Sequence, residues 1–469
     1  MENVKRRLSI RIPAKASLWY ITSSAVARLI GALGTPVFTR LLSPEEYGLY
    51  PLYNTWLGVF TVIITLEMTG AVLYRGFQRF EYDVERFFGG VLGLICTLFI
   101  GSAVFYAMLH RFIDRITGLD GGISSLMLMQ IFSATVISLY IARARFEYRY
   151  KSVVALNLIS SVTVPIIAIT LIGAFGMRGE ARIVASSLTM TAIALPLFLG
   201  LIKRAKDLFP SDVWRYMLKR SLPLLPHYFS MSMILKVGEL GISRIYGSAA
   251  LGKYSVALSL GMALTVVTSG ILSALSPWML RRMKSKETER IRDILLLLTE
   301  LISLFCLGLC AAAPEGLSLF SSPAYHSVLP AVYPIALSVI PTFLSGALMS
   351  GSVYFEKNRL TALPSVLAAV LSILLTVLVL PMTDYRYVGL FLLVSYTALA
   401  ILNVLIFKKM ANESPIHVRG TILVFLAVCA YSTIFFIFKD ALLSRFLFAL
   451  PLVLPLISVC RGALRLIKE

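Results

Sequence analysis

Fourteen windows of this chain stay apolar for about twenty residues each, and a run of that kind has few stable homes outside a lipid bilayer. The hydrocarbon core is about 30 Å thick and a helix rises about 1.5 Å per residue, so each window is long enough to cross. With no water inside the bilayer, every backbone amide must find its partner within the segment, which selects the helix. The windows cover 17–39, 48–74, 87–109, 123–142, 152–175 and 180–202, then 222–244, 251–279, 293–313, 331–354, 361–381 and 387–407, and finally 420–438 and 442–460. The chain is 58% hydrophobic and 14% charged, against about 25% charged for a soluble domain. The sequence therefore predicts an all-α polytopic membrane protein with about 14 transmembrane helices.

The net charge of +20 sits in the short segments between windows. Placing the N-terminus inside puts thirty-two Lys and Arg on inner segments and ten on outer ones, with Arg28 and Lys236 inside windows. That asymmetry is the positive-inside pattern and predicts both termini in the cytoplasm. It also explains the basic charge without nucleic acid, for which no binding motif is present. The basic stretch Met1 to Ala16 leads into a window that contains Arg28 and has no small-residue cleavage pattern, so it reads as a retained first span. Cys96, Cys306, Cys310, Cys429 and Cys460 lie in or at the end of apolar runs and behave as small hydrophobes, implying no disulfide framework. His110, His227, His326 and His417 are isolated and receive no role.

The chain repeats. A shift of 204 residues lays Ser17 and Leu18 on Ser221 and Leu222, Gly34 on Gly238, Arg40 on Arg244, Gly48 on Gly252, Tyr50 on Tyr254, and Thr61 and Val62 on Thr265 and Val266. Six windows separate the copies, an even number, so both run the same way through the membrane. The predicted plan is two pseudo-symmetric six-helix lobes around a central cavity plus two C-terminal helices, with the repeats related by an axis along the membrane normal. The expected boundaries are 1–202 for the first lobe, 203–221 for a cytoplasmic linker, 222–410 for the second lobe and 411–469 for the extra helices. Within the linker, Pro210, Asp212 and Trp214 suggest a short interfacial helix.

Among the charges inside apolar windows, four carry the reading: Arg28, Glu67, Lys236 and Glu239. Each costs roughly 2.5–3.5 kcal/mol at the bilayer centre on insertion scales, so such residues face a bundle interior or a watery cavity. Helix spacing groups Ser24, Arg28, Gly31 and Thr35 on one face of the first window, and Ser232, Lys236, Glu239 and Ser243 on one face of the seventh. Asn54, Thr61 and Thr65 form a stripe in the second, and Ser255, Ser259, Ser269, Ser273 and Ser276 one in the eighth. The functional reading makes Arg28 and Lys236 ligands for an anion, with Arg40 and Arg244 at the outer mouth and Ser24, Asn54, Ser232, Ser255 and Ser259 lining the cavity. The structural alternative pairs Lys236 with Glu239, three residues on, and Arg28 with Glu67 across helices. The serine stripe is then packing glue, and Gly31 and Gly34 are helix contacts. No phosphate-cradling loop, nucleophile elbow or metal-binding helix motif is present, no ATP-binding domain accompanies the spans, and no outer loop is long enough to hold a catalytic domain.

Three stretches carry a resemblance: FTRLLSPEEYGLY over 38–50, LKRSLPLLPHYFSMSMILKVGELGISRIYGSAALGKYSVA over 218–257, and AYHSVLPAVYPIA over 324–336. Together they resemble the polysaccharide transporter branch of the multidrug/oligosaccharidyl-lipid/polysaccharide (MOP) exporter superfamily, the Wzx-type flippases. The resemblance implies two six-helix lobes around a cationic cavity and transfer of a polyprenyl-diphosphate-linked oligosaccharide (an O-antigen, capsule or exopolysaccharide repeat unit) from the cytoplasmic to the outer leaflet. It implies no enzymatic step and no cofactor, membrane lipids as surroundings, and a polysaccharide polymerase and glycosyltransferases as neighbours in the process. It also implies a bacterial or archaeal cytoplasmic membrane. Arg28 and Lys236 match the family's cationic locations in the first and seventh spans by position rather than by fixed motif. Many relatives carry an Asp–Arg or similar polar pair late in span seven, where this chain has Gly238 and Glu239.

The physics points the same way. A diphosphate carries about two negative charges that need cations when desolvated. Its outward movement across about 100 mV, inside negative, is favourable by about 4.6 kcal/mol. Sodium or proton coupling would fall to Glu67 or Glu239. The competing readings are a multidrug or cation antiporter of the same superfamily, which predicts unpaired carboxylates in the cavity, a polymerase or ligase, which needs a catalytic outer loop, and a peptidoglycan-precursor flippase, which differs only in the sugar.

Overall fold

The computed structural model describes residues 29–147, 149–352, 355 and 358–452, with 19, 22, 23, 26, 27, 455, 457 and 459 beside them. Among the described residues the chain is helical and contains no β-strand. The helices are α1 (Leu29–Leu41), α2 (Pro44–Thr65), α3 (Ala71–Arg79), α4 (Val84–Thr117), α5 (Gly121–Phe146), α6 (Tyr150–Phe175), α7 (Ala181–Arg204) and α8 (Ser211–Ser221). They continue with α9 (Leu225–Gly261), α10 (Thr265–Lys284), α11 (Thr288–Ala311), α12 (Ala313–Phe320), α13 (Leu329–Ser352), α14 (Asn358–Leu374), α15 (Val388–Ala411), α16 (Val418–Ile437) and α17 (Leu442–Ala449).

Nine stretches of the described residues are long and apolar enough to cross a membrane, and the bent pair Ser211–Gly261 with Thr265–Lys284 makes a tenth. The remaining expected spans fall on α1 and the stretch Leu442–Leu452, which are short where described, and on α2. Three expected spans differ in detail. The window 48–74 breaks after Thr65, where Leu66 (φ 51°) and Glu67 (φ 49°) turn left-handed and α3 starts anew at Ala71. The expected loop between spans seven and eight is a kink inside α9 at Gly247 (φ 82°) rather than a separate connection. The eighth window is bent by 46° between α9 and α10.

The described chain forms two compact units. One takes Leu49–Ser232 with the described residues before Thr35, and the other takes Thr35–Gly48 with the described residues from Met233 onward. Within the first unit, α7 packs along both α5 and α6; within the second, α15 packs along both α13 and α14. The same pairing of successive helices in both units is what a duplicated sequence predicts.

In the first unit, basic segments mark one end of the helices, and a layer of short amphipathic structure covers that end. Phe77 on α3 is 1% exposed and packs on Phe88 (ring centroids 4.6 Å) and edge-on to Phe87 (5.4 Å). Arg75 and Arg79 on the same short helix keep its other face charged, the pattern of a helix that lies on an apolar surface. The expected linker helix is α8, entered through Pro210. Its Trp214 donates from the indole Nε1 to the Gly90 carbonyl at 2.9 Å. The glycines at 89, 90 and 93 of α4 let the strand of chain before α8 lie against helix backbone, and a Cβ at Gly93 would overlap the Leu208 carbonyl. Charges lock the layer: Arg86 forms a two-pronged pair with Asp212 (2.9 and 2.7 Å), and Lys206 reaches Asp83 at 3.0 Å.

The second unit contains a reciprocal contact that the repeat makes with itself. A Cβ on Gly48 would collide with the backbone carbonyl of Ser248, and a Cβ on Gly252 with that of Pro44. The 204-residue shift maps Gly48 onto Gly252 and Pro44 onto Ser248, so the two copies of one segment grip each other by equivalent atoms. The segment 35–48 is tied in further by the Tyr325 hydroxyl, which donates to the Leu42 carbonyl at 3.1 Å, and by the edge-on rings of Tyr47 and Tyr325 at 5.7 Å. All three stretches that carry the family resemblance thus meet at this joint.

Two outcomes are expected from this packing. Gly48→Val and Gly252→Val, each driving a side chain into backbone that cannot yield, should lower stability by about 2–4 kcal/mol. Gly101→Ala, with nothing within 4 Å of the added carbon, should stay within about 0.5 kcal/mol of wild type in the same thermal unfolding series. Second, hydrogen bonding from Arg86 holds the Asp212 carboxyl below its usual range, and Lys206 does the same for Asp83. A lowered folded-state pKa contributes stability above the unfolded value and loses it as pH falls through the folded one. Amides of α8 should therefore lose hydrogen-exchange protection only below the ordinary aspartate range, and no loss on acidification would remove these pairs from the layer's stability.

Candidate functional site

The charged pair Lys236–Glu239 is the feature of the second unit that packing alone does not require. Both residues lie on α9, three apart and hence on one face, and Lys236 Nζ sits 2.9 Å from Glu239 Oε2. The Lys236 side chain is 20% exposed and the Glu239 side chain 4%. The carboxylate is the deeper partner, and the ammonium faces the more open side. Small residues make that depth possible. A Cβ on Gly238 would lie 2.7 Å from Val388 Cγ1, and one on Gly241 would press into the Thr376 side chain, so α9 approaches its neighbours at backbone distance. Tyr254, on the same helix, is buried at 2% exposed. An ammonium held by a buried carboxylate is a cation that can change partners: an incoming anion can take the lysine only if the carboxylate gains a proton or a metal cation, because an unpaired buried charge is costly.

The other expected site residues fall as follows. Arg28 and Ser24 lie outside the described residues, and with them the alternative pairing of Arg28 with Glu67. Arg40 is exposed and spends its guanidinium on backbone, donating to the Pro36 carbonyl at 2.9 Å and the Leu319 carbonyl at 3.2 Å. Arg244 is exposed near the α9 kink. Glu67 sits on the left-handed turn between α2 and α3 rather than inside a continuous helix. Asn54 donates to the Tyr50 carbonyl at 3.1 Å. Ser255 and Ser259 donate to the carbonyls of Gly252 and Ser255, each at 2.8 Å, and Ser232 is half-buried. Asn54, Ser255 and Ser259 thus donate within their own helix, as polar side chains in apolar spans do, and keep acceptor lone pairs to offer. Ser276 on α10 also meets Ser350 on α13 at 2.9 Å, a hydroxyl pair between helices.

Three polar features were missed by spacing arguments. The first unit holds a buried network in which the Tyr53 hydroxyl donates to Gln130 Oε1 at 2.8 Å. Ser187 reaches the same oxygen at 2.9 Å, and Gln130 Nε2 donates to Ser186 at 3.0 Å. Arg182 stands over the Tyr50 ring, 3.9 Å from its centroid. Glu300 lies midway along α11, half-buried, with no hydrogen bond or ion pair among the described residues. A glutamine and a glutamate inside otherwise apolar windows were the available signals. The tyrosine and arginine gave none, because their partners come from other helices. Among the described residues no group of three or more His, Cys, Asp or Glu could hold a metal ion.

Helices of this number and length, paired in the same order in two units, define a polytopic membrane protein. The comparisons agree. A family model described as "Polysaccharide biosynthesis protein" matches residues 14–283, and the chain belongs to that family. No curated protein sequence matches the chain.

Among solved structures, the fold is similar to that of a lipid II flippase, MurJ, in an inward closed conformation, with TM-score 0.69, 11% identity, and coverage of 95% of this chain and 99% of that one. It is similar to a multidrug resistance MATE family transporter of the MOP superfamily in an inward-facing conformation, with TM-score 0.63, 13% identity and coverage of 87% and 99%. It is also similar to a MOP superfamily transporter from Pyrococcus furiosus, with TM-score 0.57, 14% identity and coverage of 89% and 96%. The resemblance read from three short stretches is borne out for the polysaccharide family by the match over residues 14–283, and these neighbours bear out its fold.

The pair on α9 gives a direct measurement. Lys236→Ala leaves a buried carboxylate without its cation and should cost about 3–5 kcal/mol. Lys236→Ala with Glu239→Gln should recover most of that loss, since no charge is then left unpaired. Additive losses in a double-mutant cycle would show that the two side chains do not depend on each other.

Proposed function

We propose that this protein carries a polyprenyl-diphosphate-linked oligosaccharide, such as an O-antigen, capsule or exopolysaccharide repeat unit, from the cytoplasmic to the outer leaflet of a bacterial or archaeal cytoplasmic membrane. The observation that carries the reading is the Lys236–Glu239 pair, buried in an apolar helix of a chain whose family is defined by polysaccharide biosynthesis. A lysine offers a diphosphate a countercharge in place of the hydration it loses on leaving water, and the deeper carboxylate returns to the lysine when the anion departs. Each transport cycle then exchanges Glu239 for phosphate oxygen on Lys236, with a proton or sodium ion neutralising Glu239 in between. Alternating exposure of that lysine to the two sides is the mechanism by which transporters of repeated architecture work.

Arg28 is the second cation of the reading, matched to the first-span location of the resemblance. Arg244, exposed, is its outer-mouth cation, while Arg40 is held by the Pro36 and Leu319 carbonyls. The basic segments support cytoplasmic termini. Family and fold are those of transporters, and the reading includes no bond-making step. A polymerase and glycosyltransferases would stand downstream and upstream of it.

The test is translocation in proteoliposomes that carry a fluorescent polyprenyl-diphosphate oligosaccharide, read by a membrane-impermeant quencher. Removing a charged hydrogen bond worth about 1.5–3 kcal/mol should slow Lys236→Ala by roughly tenfold to a hundredfold while the variant remains folded. Translocation by Lys236→Ala at the wild-type rate would take this lysine out of the path. A peptidoglycan precursor carried faster than the oligosaccharide would replace the substrate while leaving the mechanism. Transport of organic cations instead would overturn the reading.

A further inference from the structure

A cavity of about 180 Å³ opens at the basic end of the first unit, and the transport reading makes no use of it. It is lined by the last turns of α5 and α7: Tyr140, Arg143 and Ala144 on one side and Pro196, Gly200 and Arg204 on the other, with Glu147 and Arg149 at its rim. A water molecule takes about 30 Å³ of the liquid, so the space admits several waters or one phosphate with the start of its ester group.

Its charges are unevenly committed. Arg143 is buried and holds Glu85 with both terminal nitrogens and Glu147 with Nε at 2.8 Å. Arg149 reaches the other Glu147 oxygen at 3.5 Å. Arg204 is exposed and has no carboxylate partner among the described residues. Three guanidinium groups therefore face two carboxylates, and the surplus is one positive charge. Helix C-termini repel anions by their dipoles, so α5 and α7 need some of these cations for themselves. Arg204 already lines the cavity and has no carboxylate partner among the described residues, so it is the group available to an anion.

The wall beside the cavity is apolar. Leu195 (57% exposed) and Leu199 (50%) run along α7 next to the lining residues, a face suited to acyl chains. At Gly200 an added Cβ meets nothing within 4 Å, because the glycine borders the open volume. A guanidinium rim above an apolar stripe at a helix end suits a group that is anionic at one end and hydrocarbon at the other.

From this geometry we infer that the cavity between the ends of α5 and α7 is a phosphate-binding site for an anionic lipid, with Arg204 and Arg149 as phosphate ligands, Arg143 as the fixed positive floor and Gly200 as the gap that admits the headgroup. The occupant is a bilayer lipid seated at the protein's edge, separate from any transported molecule, so binding is the readout and transport activity is not required.

The experiment titrates the purified full-length protein in detergent with dihexanoyl phosphatidate, dihexanoyl phosphatidylcholine and inorganic phosphate, following the unfolding midpoint and the apparent Kd. Phosphatidate should raise the midpoint, and phosphatidylcholine should not. Gly200→Phe, which fills the gap, and Arg204→Ala should each weaken phosphatidate binding at least about tenfold. Gly173→Phe, at an equally open position on α6, should leave binding unchanged, and Gly200→Ala should behave as wild type if the fold is intact. Inorganic phosphate competing only at far higher concentration assigns the site to a lipid; competition at equal concentration assigns it to a free phosphate and removes the acyl-chain wall from the account. Phosphatidate binding that is unchanged in both Gly200→Phe and Arg204→Ala, or matched by phosphatidylcholine, overturns the proposal.

Discussion

Inside a bilayer there is no water to complete a hydrogen bond or screen a charge, and the polar groups of the apolar helices are placed under that constraint. Backbone amides satisfy it by forming helices, and hydroxyls by bonding back to carbonyls one turn away, as Ser255 and Ser259 do. Longer side chains must find one another, and Tyr53, Gln130 and Ser187 close a network across three helices. Charges have the fewest choices. Lys236 and Glu239 solve the problem locally by sharing a helix face, and the glycines at 238 and 241 bring neighbouring helices close enough to bury the carboxylate. A charge pair kept in so costly a place is available for exchange in a way that a surface pair is not, since any ion that separates it must supply the missing countercharge.

The same scarcity of space shapes the joint around Gly48 and Gly252. Two copies of a duplicated segment meet with their carbonyls against each other's glycines, an arrangement that tolerates no side chain on either. The residues that make the family recognisable are concentrated there: the loop after α1, the region around the α9 kink and the stretch containing Tyr325. The resemblance is therefore carried by packing at a crossing of backbones. It identifies the architecture and says little about the molecule transported, which explains how chains with such different stated cargoes share the fold at 11–14% identity.

The helices were legible because hydrophobic length is a one-dimensional signal, and the windows for α5, α13, α15 and α16 agree with the observed ends to within a few residues. The break after Thr65 was not legible. The run from 48 to 74 is apolar enough to continue, and only the left-handed turn at Leu66 and Glu67 ends it. Helix periodicity also grouped Lys236 with Glu239 and left open whether they pair; the 2.9 Å separation decides that they do. Arg40, placed at an outer mouth, turns out to donate to a carbonyl of its own helix and to that of Leu319 near the end of α12, because Leu319 is brought to it by chain folding across 279 positions.

By itself the sequence determined that the chain is helical and membrane-spanning, that it is duplicated, and that it keeps charge within apolar segments, because each of these follows from composition and spacing along one helix. The tertiary structure alone decided which charges are neutralised, where helices bend, which glycines lie under a neighbouring backbone, and that Arg204 borders an open cavity beside Gly200. Those depend on atoms far apart in the chain arriving within a few ångströms of each other, and no local pattern encodes that distance.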